Sequence, residues 1–385
     1  MDSPAERVLI AGGGIAGLAA AAALGRQGIE VDLVEIQPAD STIGGIGISL
    51  PTNALQSFKA IGILEECMDA GHVFDAFVLH DSDCQLIVSL PCPPNPQGVP
   101  GYLGIGRRVL SQILTSAATA AGATIRYGTS ITEFDQDPDS VSVAFSDGRQ
   151  DRYDLVVGAE GIKSELRRQL FGFEQEPVAT GYGCWRVRLD RDPNVISMEG
   201  FVGIGSKAGL VPINEESMYL YHVTTETGNP RHDPAHFPEI LAEKLDGYTG
   251  RIADIREMLP SLEGIVYSPL EEVRLPSPWN LGRILIIGDA AHAVVPHLSQ
   301  GGSLCLEDGA VLGDVLGVRE PVSKSLTVFM DRRYERARHL QELSHKLLIS
   351  EMDTDPEKVR KRDEYLRTGL LSEHLEIRAY MSQVA

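Results

Sequence analysis

The feature that most limits the fold lies near the start of the chain. Between a short apolar run, Val8-Leu9-Ile10-Ala11, and an alanine-rich segment reaching Gln27 stands Gly12-Gly13-Gly14-Ile15-Ala16-Gly17, a GxGxxG pattern. The apolar run reads as a buried parallel strand, the segment from Ile15 as a helix, and Gly28 as its stop. Gly12 makes the tight turn, Gly14 lets a pyrophosphate approach the backbone, and Gly17 lets the helix pack on the sheet. Ile15 and Ala16 open the helix, whose free N–H groups and positive dipole end suit phosphates. A second strand, Ile29 to Glu35, places Glu35 about 18 residues beyond Gly17. A carboxylate there accepts hydrogen bonds from ribose hydroxyls and repels a 2′-phosphate. This βαβ unit predicts a bound dinucleotide, and by itself it separates neither FAD from NAD.

Further along, a glycine-rich loop from Ile43 to Ser49 precedes a helix predicted from Asn53 to Ala70. Val73 to Leu90 reads as two strands around Asp81-Ser82-Asp83, and the proline-rich stretch 91–100 as a loop. Arg107 to Gly122 is helical in pattern. Thr124 to Arg126, Ile131 to Phe134 and Val141 to Phe145 read as a meander, and Asp154 to Ala159 as another buried strand. From Trp185 to Tyr267 alternation dominates, notably Met198 to Ile204 and Met218 to Thr224, broken by a helix from Pro234 to Leu245. Arg283 to Ile287 returns to a buried strand, followed by a glycine turn and a helix from Gly302 to Leu316. Two charged helices, Val328 to Ser350 and Pro356 to Leu371, close the chain. The order implies a nucleotide-binding domain assembled from residues 1–72, 101–180 and 268–330. A substrate domain of residues 73–100 and 181–267 is inserted into it, and C-terminal helices occupy 331–385.

Charge narrows the partners. The formal net charge of −20 repels phosphate backbones and offers anionic lipid no basic patch, so neither nucleic acid nor membrane is expected as a partner. The apolar run at Val8 to Leu24 is glycine-interrupted and short of the roughly 20 residues a span needs. The five cysteines show no CxxC spacing, which suits a reduced, cytoplasmic protein. His232 and His236 have HxxxH spacing, but Pro234 lies between them and Asp233 stands where the zinc-protease glutamate would be, so no metal site is expected.

Two more motifs separate the cofactors. Gly288-Asp289-Ala290-Ala291-His292, with Pro296 following, matches GDAAHxxxP. Gly158-Ala159-Glu160-Gly161 followed by Arg167 resembles a DG motif, and Trp185-Arg186 a Trp-Arg pair. On these residues the chain resembles the group A FAD-dependent aromatic monooxygenases, the family of para-hydroxybenzoate and salicylate hydroxylases. Its Pro296-His297, Gln300-Gly301 and Glu307-Asp308 follow the pattern of 6-hydroxynicotinate 3-monooxygenase. The resemblance spans Val8 to about Leu316. It implies an α/β fold: a Rossmann-type FAD-binding domain, an inserted mixed β-sheet substrate domain and C-terminal helices.

The resemblance also implies roles. Asp289 takes the ribityl chain of FAD, and the helix start at Gly301, Gly302 and Ser303 faces the isoalloxazine. Gly47 and Ile48 fit the glycine-rich loop, and Arg107 sits where relatives contact FAD. Glu160 replaces the usual aspartate, and a longer arm alters the nicotinamide contacts. The implied activity uses NADH or NADPH and O2 to hydroxylate a small aromatic or N-heteroaromatic substrate through a flavin C4a-hydroperoxide, in a monomer or homodimer. A base near the ring is then expected. Its candidates are His297, beside Pro296, and His222 on the strand Met218 to Thr224, with Tyr219 and Tyr221 on the opposite face as packing residues. Arg186 suits either a substrate carboxylate or a structural ion pair. Other chemistry on this scaffold, epoxidation or alkene reduction, stays open, as does a non-enzymatic nucleotide-fold binder. Against halogenation, Trp185 and Trp279, the only tryptophans, cannot form a WxWxIP signature.

Overall fold

The computed structural model describes residues 3–39 and 45–383. Ile43 and Gly44, the start of the glycine-rich loop, lie outside them. A six-stranded sheet forms the base. In spatial order it runs Asn280–Leu281, Ile284–Ile286, Leu155–Gly158, Arg7–Ala11, Glu30–Glu35 and Thr124–Tyr127. All neighbours are parallel except the first pair. The central strands are nearly all apolar because helices cover them, as sequence pattern predicts for a parallel sheet.

The first helix, Ile15–Arg26, explains its own composition. Residues 16–24 are all buried, so the helix has no polar face to show. It lies against Gln300–Gly317 at a distance only small residues allow. An added Cβ on Gly309 would sit 2.6 Å from Ala20 N, and one on Gly313 2.6 Å from Ala23 Cβ. Alanine facing glycine is what lets these helices cross so closely.

A seven-stranded mixed sheet stands beside this layer, ordered Val266–Glu272, Val178–Asp190, Ser217–Thr225, Ser206–Pro212, Met198–Val202, Ala76–Asp81 and Leu86–Pro91. Residues distant in sequence meet here, as in the parallel pairing of Met198 with Phe77. A three-stranded sheet of Gly47–Pro51, Tyr102–Gly106 and His72–Phe74 links the two. Helices Val322–Glu351, Pro356–Thr368 and Leu370–Met381 complete the chain. Among the described residues no helix is long and apolar enough to cross a membrane.

Several elements differ from expectation, each for a local reason. The helix expected over 53–70 is two, Thr52–Ile61 and Leu64–Ala70, because Gly62 caps the first in a left-handed conformation at φ +89°. Thr124–Tyr127 is not part of the meander. It pairs with Asp32–Glu35 at the edge of the parallel sheet, and the meander's third strand is Gln150–Tyr153, too polar to show as apolar alternation. The stretch from Val73 to Leu90 holds part of a third strand, His72–Phe74. Strand Ser206–Pro212 and helix Gly250–Met258 were not legible.

Candidate functional site

A cavity of about 740 Å³ is lined by residues of both large sheets and of the helix starts between them. The nucleotide turn forms one wall. Gly12 has φ +112°, and an added Cβ would meet Ala159 O at 2.3 Å, so both the turn and the neighbouring strand demand glycine. A Cβ on Gly17 would stand 1.9 Å from Gly12 O, which makes Gly17 a packing residue; it does not line the cavity. Gly14 is the opposite case: a Cβ there meets nothing within 4 Å. Its open side, with Ile15 and Ala16 behind it and no capping side chain, leaves helix N–H groups facing the cavity. That cradle fits a pyrophosphate. Glu35 is oriented by two backbone donors, Gly13 N–H at 2.6 Å and Gln37 N–H at 2.8 Å, and its carboxylate lines the cavity with lone pairs to spare for ribose hydroxyls.

Asp289 begins the short helix Asp289–His292 and lines the same cavity. Burial pushes its carboxyl upward, so a hydroxyl-rich chain laid against it would restore the hydrogen bonds it has lost to desolvation. The turn that presents Asp289 is held by a buried network. Asp308 accepts from Gly288 N–H at 2.8 Å and pairs with His292 Nε2 at 2.6 Å, while Arg333 Nε donates to its other oxygen at 2.7 Å. Arg333 also reaches Glu307, which accepts from Arg336 at 2.7 Å and Asn53 at 2.8 Å. The motif histidine and the Glu307-Asp308 pair are therefore structural.

The helix Gln300–Gly317 enters through Ser299 at φ +57° with no side-chain cap, presenting Gly301 and Gly302 to the cavity. Ile48 packs over this start, its Cδ1 2.6 Å from where a Gly302 Cβ would be, and Gly47 closes on Tyr219. Ser303 does not face the cavity: fully buried, its hydroxyl bonds back to Ser299 O at 2.8 Å, as serines one turn inside a helix do. Glu160 lines the cavity, but its Oε2 is taken by Ser164 Oγ at 2.6 Å and Leu166 N–H at 2.9 Å, so the longer arm caps the next helix. Arg107 and Arg186 both line the cavity. Burial and then the Arg186 guanidinium lower Arg107, which makes that wall receptive to an anion.

The seven-stranded sheet supplies the remaining wall, where the histidine expectation needs correction. His222 does not reach the cavity; Tyr219 and Tyr221 do. Strand alternation separates the two faces, and the tyrosines take the cavity side. His222 is fully buried against Tyr248, neither ring nitrogen has a partner, and burial brings it down to about 3. Its folded-state value lies below the unfolded 6.5, so the unfolded chain binds the extra proton. Stability should therefore decline as pH falls from about 6.5 toward 3, by up to about 1.4 kcal/mol per unit from this residue. His222→Leu is expected to flatten that slope in urea titrations at stepped pH. An unchanged slope would mean the ring is not held neutral.

His297, on the turn Pro296–Leu298, is the histidine that lines the cavity, as does Pro296. Its side chain is 1% exposed, and neither ring nitrogen has a hydrogen-bond partner. Burial first, then Lys207 and His345, hold it well below its ordinary value, so it is a neutral acceptor at neutral pH. Lys207, Phe77 and Met198, absent from the sequence expectations, also line this wall. Met198 and Phe77 meet only through the parallel pairing of two strands distant in sequence, and Lys207 sits on the hairpin that follows Met198's strand.

The comparisons agree with this geometry. The family model described as "FAD binding domain" matches residues 6–339. The aurachin C monooxygenase/isomerase of Stigmatella aurantiaca is 32% identical over 339 residues, covering 86% of this chain and 85% of its own. The 2-heptyl-3-hydroxy-4(1H)-quinolone synthase of Pseudomonas aeruginosa is 32% identical over 344 residues, covering 88% and 87%. HpxO of Klebsiella pneumoniae, solved with FAD and uric acid, superposes at a TM-score of 0.87 over 97% of both chains at 21% identity, which shows the fold. With a family model over residues 6–339 and relatives at 32% identity over 86–88% of the chain, it is a member of the FAD-binding family and an FAD-dependent monooxygenase of the aromatic hydroxylase type.

Proposed function

We propose that the chain hydroxylates a small hydroxylated N-heteroaromatic ring, with FAD as resident cofactor, NADH or NADPH as electron donor and O2 as the oxygen source. The observation that carries the reading is that one cavity holds both the nucleotide cradle and the wall of Phe77, Met198, Tyr219, Tyr221 and His297. A ring seated on that wall lies in the same enclosure as the cofactor. The proteins named above as a quinolone synthase and a uric acid complex handle nitrogen-containing rings. The Pro296-His297 pattern similar to 6-hydroxynicotinate 3-monooxygenase favours the same class over benzoates.

Gly14, Ile15, Ala16 and Glu35 would hold the pyrophosphate and ribose, and Asp289 the ribityl chain. The start of Gln300–Gly317 would stabilise negative charge on the flavin ring. FAD, when bound, would supply the redox chemistry and the activated oxygen. The protein's part is to prepare the ring. His297, neutral and unpartnered but with both ring nitrogens covered, is the candidate base: one nitrogen turned into the cavity would accept the proton of the ring hydroxyl and so raise the electron density of the carbon to be attacked. Tyr219, pushed up to about 12 by burial, and Tyr221, also held well above its ordinary value by burial, stay protonated and donate hydrogen bonds to the ring's polar edge. Phe77 and Met198 exclude water. Residues 1–72, 101–180 and 268–330 serve the cofactor, His297 excepted, and 73–100 with 181–267 the substrate. Rapid-mixing reduction of bound FAD by NADH tests the reading: hydroxypyridines and hydroxyquinolines are expected to accelerate it, and indifference to every ring would argue for other flavin chemistry.

A further inference from the structure

His297 does not stand alone. Its Nε2 lies 3.6 Å from Glu351 Oε2, beyond hydrogen-bond reach, and both atoms are buried without a hydrogen-bond partner among the described residues. The other carboxylate oxygen, Oε1, is held by Lys207 Nζ at 2.6 Å, in a pair whose side chains are 5% and 7% exposed. Glu351 is the last residue of the 30-residue helix Val322–Glu351, whose Arg333 and Arg336 also hold the Glu307-Asp308 pair, so its position is fixed by an element anchored in the core. The charged and titratable groups around His297 are Lys207 from one strand, Tyr221 from the next, and His345 and Glu351 from the helix.

Two unpartnered buried polar atoms facing each other are costly unless they can bond. A carboxylate can only accept, so the bond that closes this gap must be donated by the imidazole from Nε2. The tautomer is then settled, and Nδ1 is left as the acceptor. We propose that Glu351, anchored by Lys207, is a positioning residue that fixes His297 as its Nε2–H tautomer, so that Nδ1 receives the substrate proton. The proton moves from the ring hydroxyl to Nδ1, giving an oxyanion and an imidazolium whose charge faces Glu351. Passed back to the product's oxyanion, that proton leaves His297 neutral again. The inference rests on the hydroxylase reading for the step but not for the tautomer.

Glu351→Gln makes the two separable. Lys207 can only donate, so the amide oxygen stays toward it and the amide NH2 turns toward His297. Nε2 then becomes an acceptor and the proton moves to Nδ1. The test is nitrogen-15 NMR of histidine-labelled, FAD-loaded protein near neutral pH, with His297→Asn identifying the resonance. The native protein is expected to show the Nε2–H form and Glu351→Gln the Nδ1–H form, with Glu351→Asp restoring the native one. The same tautomer in native and Gln variants would overturn the inference. Hydroxypyridine turnover by the same three proteins reads the consequence: kcat about 100-fold lower in Glu351→Gln with KM little changed, and partial recovery in Glu351→Asp. Because the tautomer is read without substrate, failure of the hydroxylase reading leaves that test standing.

Discussion

Asp289→Ala should yield a folded protein that has lost its flavin. The carboxylate is buried, lines the cavity, has no ion-pair partner among the described residues, and accepts from the Cys305 thiol at 4.0 Å. Its removal takes little from the apo fold, because burial of an unpaired carboxylate is itself unfavourable. A hydrogen bond from a hydroxyl to a charged acceptor is worth about 1.5–3 kcal/mol, so the dissociation constant for FAD should rise roughly 10- to 100-fold. Fluorescence titration of apoprotein with FAD reads this directly. Asp289→Asn, which keeps an acceptor oxygen, should fall between the two. An alanine variant purified with full flavin would remove Asp289 from the cofactor site.

Arg333→Met is expected to act on stability instead. Arg333 is fully buried and bonds both Glu307 and Asp308. Burial would raise Asp308, yet His292 and then Arg333 hold it at about 2. Taking one cation from such a cluster leaves buried negative charge uncompensated, a loss of about 3–5 kcal/mol. A urea titration at neutral pH should show it as an earlier midpoint, with the slope little changed. Flavin affinity should decline as well, since Asp308 holds the Gly288 N–H of the turn that presents Asp289. A variant with native stability would mean Arg336 and His292 already balance the pair.

The cofactor half of the site was legible because its chemistry is local. A glycine that must adopt φ +112°, a helix start seen from Gly14, and Glu35 closing the next strand all lie within one βαβ unit. Asp289 was legible through its resemblance to a motif rather than through spacing. The substrate wall was harder to read, because its residues are brought together by pairing across the sheet. Alternation on Met218 to Thr224 correctly divided His222 from Tyr219 and Tyr221, but no local signal tells which face of a strand meets a cavity and which meets the core. The helix Gly250–Met258 covers the His222 face, with Ile252 and Ile255 in the same apolar cluster as Leu220 and Tyr248. Lys207 and Glu351 are 144 residues apart in sequence. Neither belongs to a sequence motif, and only the fold turns them into a buried pair beside His297.

The central step is reduction of the flavin in the presence of a ring that the Tyr219, Tyr221 and His297 wall accepts. Anaerobic rapid mixing of the purified, FAD-loaded protein with NADH or NADPH, with and without hydroxypyridines, hydroxyquinolines and hydroxybenzoates, measures that coupling. One ring class, a nitrogen heterocycle, should accelerate flavin reduction and then appear as hydroxylated product when O2 is admitted. A flavin reduced at one rate whatever the ring would contradict the hydroxylase reading, and a protein that binds no flavin would contradict the account at its base.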